Sequence, residues 1–315
     1  MRYSWTMSLR FMEKPLSTQP YIGRFAPSPT GDLHFGSLVT AVASYLEARH
    51  HQGQWHLRID DLDEQRCIPG KDKELIESLE TFGFQWNGQI AYQSKTVPHY
   101  RAALEHLKEQ GAVYACDCSR KQIQETGVKG IEGPVYPGTC KDKGLSLDGK
   151  LAIRVKANKN PLAFFDKRFG LQAQNIKQDV GDFIVYRADG YFAYQLAVVV
   201  DDYLAGITHV VRGADLLSST IRQISLQQML GQPQLNYFHV PLVIGKDGKK
   251  LSKSENGPKV NHQKPIQTLL AAWHYLGQVM PDEAPGTLED FWAWASSEWH
   301  FSAVPREGTL NAAVK

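Results

Sequence analysis

"YIGRFAPSPTGDLHFGS", residues 21–37, decides how the rest of the chain is read. It opens with a short β-type run and passes into a loop punctuated by Pro27, Pro29, Gly31 and Gly36. Prolines hold a loop in one shape, and glycines let backbone come close to a ligand. Residues 38–53, "LVTAVASYLEARHHQG", have helical spacing and a glycine stop. Residues 54–63, "QWHLRIDDLD", read as a strand that ends in acids. Strand, phosphate-sized loop, helix and strand make the opening unit of a doubly wound α/β fold with a parallel sheet. A helix that starts after such a loop aims its free N–H groups at an anion. His34 is placed to bond a phosphate oxygen or a ribose, although the loop alone is also an ordinary tight turn.

Outward from this unit, helical stretches are expected around residues 71–82 and 97–110. Between Gly111 and Asp182 the composition shifts toward glycine, proline and cysteine, and "LAIRV" and "LAFFDKRFG" alternate like strands. An insertion with its own small sheet is expected there. Residues 182–217 return to apolar runs that read as strands, with Asp201 and Asp202 capping a strand end, and "SSTIRQISLQQML" reads as a helix. "HVPLVIGKDGKKLSKS", residues 239–254, is a strand, a turn and a lysine-rich loop. The domain reading is an extension at 1–20, a Rossmann-like catalytic domain at 21–110 and 183–256, an insertion at 111–182 and a short helical region at 257–315.

The chain has 315 residues, of which 42% are hydrophobic, and a formal net charge of +2. It is therefore not broadly polycationic, and nucleic acid would be met through local basic patches. The longest core-like run, "FAYQLAVVV", is far shorter than the roughly 20 residues that span a bilayer. The first twenty residues lack a continuous apolar segment and a small-residue cleavage site. A cytosolic protein without membrane attachment is expected. Of its cysteines, Cys67 stands alone, whereas Cys116, Cys118 and Cys140 cluster. In a reducing compartment such a cluster suggests metal rather than a disulfide. C-x-C followed by a third cysteine fits three thiolates on tetrahedral Zn²⁺. The fourth position is open to Tyr136, to an aspartate such as Asp117 or Asp142, or to water. A phenol has a pKa near 10, so it ligates only if the metal lowers it.

In "KKLSKS", residues 249–254, Lys250 and Lys253 offer charge to a polyphosphate, and Ser252 and Ser254 offer hydrogen bonds. Alone this is also a solvated basic turn. Together, "PSPTGDLHFG" after the first strand and "KLSKS" after a late strand resemble the paired signature loops of class I aminoacyl-tRNA synthetases. "RFAPSPTGDLHFGS", "RIDDLD", "VVVDD" and "RGADLL" resemble the glutamyl and glutaminyl branch. The resemblance implies ATP-dependent formation of an aminoacyl adenylate, with Mg²⁺ accompanying ATP. It implies His34 and Lys253 as catalytic donors, and ATP held by His34, Gly36, Ser37, Lys250, Ser252 and Lys253. It places Arg24, Phe25, Ala26, Pro27, Ser28, Asp60, Tyr194 and Arg212 around the amino acid. Relatives generally carry glutamate at the position of Asp60, which would accept from the ammonium. Two arginines suit the two carboxylates of glutamate better than neutral glutamine. The resemblance also implies Tyr136 as the fourth zinc ligand, since Tyr136 and Cys140 match a Tyr-x-x-x-Cys motif.

Only 61 residues follow the lysine loop, and "LLAAWHYLGQV" and "LEDFWAWASSEWHF" read as two helices packing aromatics on the catalytic domain. Full glutamyl-tRNA synthetases continue there with helical anticodon-binding domains. The plan without them resembles the glutamyl-queuosine tRNA(Asp) synthetase family. Its implied partners are L-glutamate, ATP and the anticodon stem-loop of tRNA(Asp), whose queuosine base accepts the glutamate. The insertion would then grip that stem-loop, with Arg120, Lys121, Lys129, Lys141 and Lys143 on its phosphates. A monomer is expected. The competing readings are a glutamyl-tRNA synthetase that charges a 3′ end, a small-molecule adenylyltransferase, and a non-catalytic zinc-bearing RNA-binding module.

Overall fold

Residues 35–50 form a helix that is apolar on every side, with Leu38, Val39, Ala41, Val42, Tyr45 and Leu46 all buried. A helix of that kind belongs inside a layered domain rather than on its surface. The computed structural model describes residues 19–130, 133–244, 260–306 and 309–311. In it, β1 (Ile22–Phe25) feeds the Pro/Gly loop and α1 (Phe35–His50), and β2 (Gln54–Ile59) returns beside β1. Next come α2 (Lys71–Thr81), β3 (Ala91–Tyr92), α3 (Val97–Glu109), β4 (Val113–Cys116) and α4 (Arg120–Thr126). Short β5 (Lys129–Gly130) and β6 (Gly133–Pro134) pair with each other, followed by β7 (Ala152–Val155) and the hairpin β8 (Leu162–Asp166) and β9 (Gly170–Gln174). After α5 (Ile176–Asp179) and β10 (Ile184–Tyr186) the chain forms α6 (Tyr194–Leu204), β11 (His209–Gly213), α7 (Leu217–Met229), β12 (Asn236–Val240) and β13 (Leu242–Ile244). The described part closes with α8 (Pro265–Tyr275), α9 (Leu288–Ser297) and β14 (Thr309–Asn311).

β1, β2 and β3 run parallel in the order β1-β2-β3, and β11 runs parallel to β12. Thr208 N donates to Ile22 O at 2.9 Å, which seats the start of β11 beside the start of β1. The strand order thus reverses between β1 and β11, and the carboxyl ends of these two strands flank a cleft. That switch point is where open α/β sheets bind ligands.

Two apolar cores lie on opposite faces. One joins α1 and α2 to α8 and α9; the other joins α3, α6 and α7 to β4, β7 and β8. The tryptophans of the C-terminal helices pack into the first. Trp292 Nε1 donates to Phe82 O at 2.9 Å, and Trp299 Nε1 donates to Glu47 Oε1 at 2.8 Å.

Two expectations change. Residues 194–204 are helix α6, so Asp201 and Asp202 sit near a helix end and do not cap a strand. A continuous apolar run fits a buried helix as well as a buried strand, and here Leu196–Val200 are covered on all sides. The stretch 111–182 does not keep its strands to itself either. β7 pairs with both β4 and β10, and β8 joins β12 through Tyr237 and Asp166. Phe164 on β8 enters the same apolar cluster as Ile221 and Ile224 of α7, which is the force that draws the hairpin onto the main sheet.

Candidate active site

The cleft has a volume of about 730 Å³ and is walled by the Pro/Gly loop, the start of α1 and the ends of β2 and β11. Its lining brings together Arg24, Phe25, Ala26, Pro27, Ser28, His34, Gly36, Ser37, Asp60, Tyr194 and Arg212, residues that span nearly two hundred positions of sequence. Lys250, Ser252 and Lys253 lie outside the described residues.

The loop is held at both ends. Asp60 N donates to Pro27 O at 2.9 Å, tying it to the end of β2, and His34 caps α1. Ser37 N donates to His34 Nδ1 at 3.1 Å, and Ser37 Oγ lies 2.9 Å from Nε2. Because Nδ1 accepts, the proton of the neutral ring is on Nε2. Gly36 makes room for this: a Cβ there would stand 3.3 Å from His34 Nδ1.

Buried charge dominates the floor. Arg24 Nε and Nη2 donate to the two oxygens of Asp202 at 3.1 and 3.2 Å. Arg58 Nη1 reaches Asp202 Oδ1 at 2.7 Å, and its Nε reaches Asp60 Oδ1 at 2.7 Å. Burial pushes the Asp202 carboxyl up, but Arg24 and Arg58 outweigh it and hold it below the usual carboxylate range. Burial raises Asp60, which Arg58 only partly offsets. Its Oδ2 is held loosely, 3.5 Å from Arg58 Nη2. Burial pushes Asp201 up to about 6, against the pull of Arg58, Tyr100 and Gln93.

Arg212, on β11, is bound differently. Nε donates to His239 Nε2 at 3.0 Å, and Nη2 donates to Thr220 Oγ1 at 2.7 Å and Leu216 O at 3.4 Å. Among the described residues no carboxylate pairs with it, and its buried Nη1 has no hydrogen-bond partner. A buried cation without an anion is costly unless a ligand supplies one. The cleft therefore offers an unoffset positive charge at its β11 wall, a capped helix start and a ring nitrogen at the loop, which together suit an anionic ligand of more than one group.

Sequence reasoning missed Arg58, Asp166, Thr220 and His239. The signal was present for the histidine and the aspartate: each stands in an apolar strand run, "NYFHV" and "LAFFD", where a polar side chain needs a partner.

The cysteine cluster lies apart from the cleft. The sulfurs of Cys116, Cys118 and Cys140 are all within 4.8 Å of one another. Tyr136 Oη points among them, 3.3 Å from Cys116 Sγ and 3.7 Å from Cys118 Sγ, and it accepts from Cys140 N at 2.9 Å. Asp117 Oδ1 accepts from Cys140 Sγ at 3.0 Å, but it is also paired with Lys143 at 2.9 Å. The spacing fits one tetrahedral ion, whose sulfur ligands stand about 3.8 Å apart.

Comparison with known proteins gives a consistent picture. The family model described as "tRNA synthetases class I (E and Q), catalytic domain" matches residues 22–276. A protein of Dechloromonas aromatica named glutamyl-Q tRNA(Asp) synthetase is 48% identical over 92% of this chain and 98% of its own length. A Chromobacterium violaceum protein of the same name is 46% identical over 92% of this chain and 97% of its own. Among solved structures, a glutamate tRNA ligase of Elizabethkingia meningosepticum in complex with its amino acid shares the fold. It superposes with a TM-score of 0.77 at 21% identity, over 94% of this chain and 67% of that one.

Proposed function

The chain belongs to the glutamyl-Q tRNA(Asp) synthetase family of class I synthetases, and from that premise we propose that it activates L-glutamate with ATP and transfers it to the queuosine base of tRNA(Asp). It is an ATP-dependent ligase. A carboxylate oxygen of glutamate attacks the α-phosphorus of ATP, the bond to the β-phosphate oxygen breaks, and pyrophosphate leaves. A hydroxyl on the cyclopentene ring of queuosine then attacks the activated carbonyl, losing its proton as AMP departs and the ester forms.

The observation that carries the glutamate reading is the buried, unoffset guanidinium of Arg212, whose Nη1 lacks a partner. A side-chain carboxylate restores the missing charge there, and glutamine cannot. Arg24, already bound to Asp202, offers the second cationic edge, and Asp60 offers an acceptor to the ammonium. His34, at the start of α1, acts on the phosphates with Lys253; preplaced donors of this kind stabilise a transition state that gathers negative charge. Mg²⁺ enters with ATP and needs few protein ligands.

Cys116, Cys118, Cys140 and Tyr136 would hold one Zn²⁺, whose role is to staple the insertion. Exposed Arg120, Lys121, Lys129 and Lys143, with half-buried Lys141, would meet tRNA phosphates. The enzyme is expected to work as a monomer in the cytoplasm; no described helix is long and apolar enough to cross a membrane.

ATP–pyrophosphate exchange without RNA tests the first half. Glutamate should support exchange and glutamine should not. Equal rates with the two amino acids would overturn the role given to Arg212.

A further inference from the structure

We propose that His239, tethered by Asp166, is a positioning residue for glutamate: a neutral imidazole that fixes the Arg212 guanidinium while leaving its charge for the substrate carboxylate. The proposal rests on the reading of Arg212 as a glutamate contact.

The hydrogen bonds allow one arrangement. A guanidinium only donates, so His239 Nε2, 3.0 Å from Arg212 Nε, must accept. The ring proton is therefore on Nδ1, which donates to Asp166 Oδ2 at 2.6 Å. A doubly protonated ring would set N–H against N–H at Arg212. Burial acts in the same sense and holds the His239 pKa down at about 4. Asp166 is itself pinned, since Oδ1 accepts from Arg168 N at 2.9 Å and Phe169 N at 2.8 Å, and Oδ2 also accepts from His239 N at 3.1 Å. With both oxygens committed, the carboxylate cannot turn, and the tautomer is fixed.

The contrast with Arg24 gives this chain its meaning. Arg24 is held by a carboxylate, and its charge is offset by Asp202. A carboxylate in the place of His239 would orient Arg212 equally well, but it would offset the charge and repel the incoming carboxylate at short range. A neutral acceptor backed by a more distant acid gives the orientation without that cost. Asp166 lies on β8, so a hairpin from the insertion reaches through β12 to set a residue of the cleft.

The test is a double-mutant cycle in glutamate-dependent ATP–pyrophosphate exchange, with thermal unfolding of each variant. His239→Phe should raise the glutamate KM on the order of tenfold to a hundredfold, the scale of a hydrogen bond to a charged group, and leave the ATP KM unchanged. His239→Gln, whose amide oxygen can reach the Nε2 position, should recover most of the loss. In an Arg212→Ala background His239→Phe should add nothing, because no guanidinium remains to orient. Parallel rises in both Michaelis constants, a fall in kcat alone, or full additivity in the cycle would overturn the proposal. If His239→Phe does not fold, His239→Asn replaces it, since Asn is too short to reach Arg212. If Arg212→Ala leaves the glutamate KM unmoved, the reading of Arg212 fails; if Arg212→Ala raises it and the His239 variants do not, the positioning role alone fails.

Discussion

Arg24 and Arg212 face one cleft with different obligations, and their loss should read out differently. Arg212 has only neutral partners, so Arg212→Ala should raise the glutamate KM by about a hundredfold, the scale of a lost buried charge contact, with a smaller effect on stability. Arg24 is bidentate to Asp202, so Arg24→Ala should also cost about 3 kcal/mol of folding stability, as broken buried ion pairs do. Thermal and denaturant unfolding beside exchange kinetics will separate the two; an Arg24→Ala variant of unchanged stability would contradict the structural half of its role. Lys253→Ala should instead lower the maximal exchange rate at unchanged glutamate KM, because a transition-state contact is lost rather than a ground-state one. The two arginines were legible in the sequence because each stands in a short motif beside a ligand-facing loop or strand end. Their partners were not. Asp202 is 178 residues from Arg24, and Asp166 is 73 residues from His239, so no local pattern couples them.

At the level of elements, α1 carries the argument at both ends. At its start, Gly36→Ala would place a methyl 3.3 Å from His34 Nδ1, and the ring must shift from the site of the phosphates. Exchange should slow by roughly tenfold, the lower range for a displaced catalytic donor, while the fold is kept; an unchanged rate would show that the ring need not sit where it does. Toward its end, Glu47 binds Lys167 at 2.7 Å and Trp299 at 2.8 Å, joining the hairpin turn and the C-terminal region to the helix. Burial pushes Glu47 up, but His51 and Lys167 hold it down at about 2, against an ordinary 4.5. A depressed carboxyl contributes stability above its unfolded pKa and loses it as pH falls through the folded one. Glu47→Gln should therefore cost on the order of 3 kcal/mol at neutral pH, and the gap to the parent should close between about pH 4.5 and pH 2. A gap that persists at pH 2 would assign the effect to packing. The cysteine cluster is the staple of the insertion: Cys118→Ser should lose bound zinc and loosen the segment against proteolysis, and unchanged metal content would refute the ligand set. α1 and β2 were legible because their spacing and punctuation agree with their burial. α6 was misread because burial on all sides erases periodicity, and the bond between β8 and β12 was invisible because a single long-range pairing leaves no trace in composition.

Across the whole molecule, the sheet order β2-β1-β11-β12 sets a cleft at its reversal, and the insertion and the C-terminal helices brace it from opposite faces. The Rossmann-like plan and most of the cleft lining were readable from a few motifs in order. The charge network beneath them emerged only when the two halves of the sheet came together. The central claim is that glutamate activated in this cleft goes to the anticodon of tRNA(Asp). Radiolabelled glutamate and ATP should be offered to tRNA(Asp) with and without queuosine, and the 3′ adenosine then removed enzymatically. The account predicts label only on the queuosine-bearing tRNA, stable to the trimming and released by mild base. Label that leaves with the 3′ adenosine, or that appears on tRNA(Glu), would contradict it.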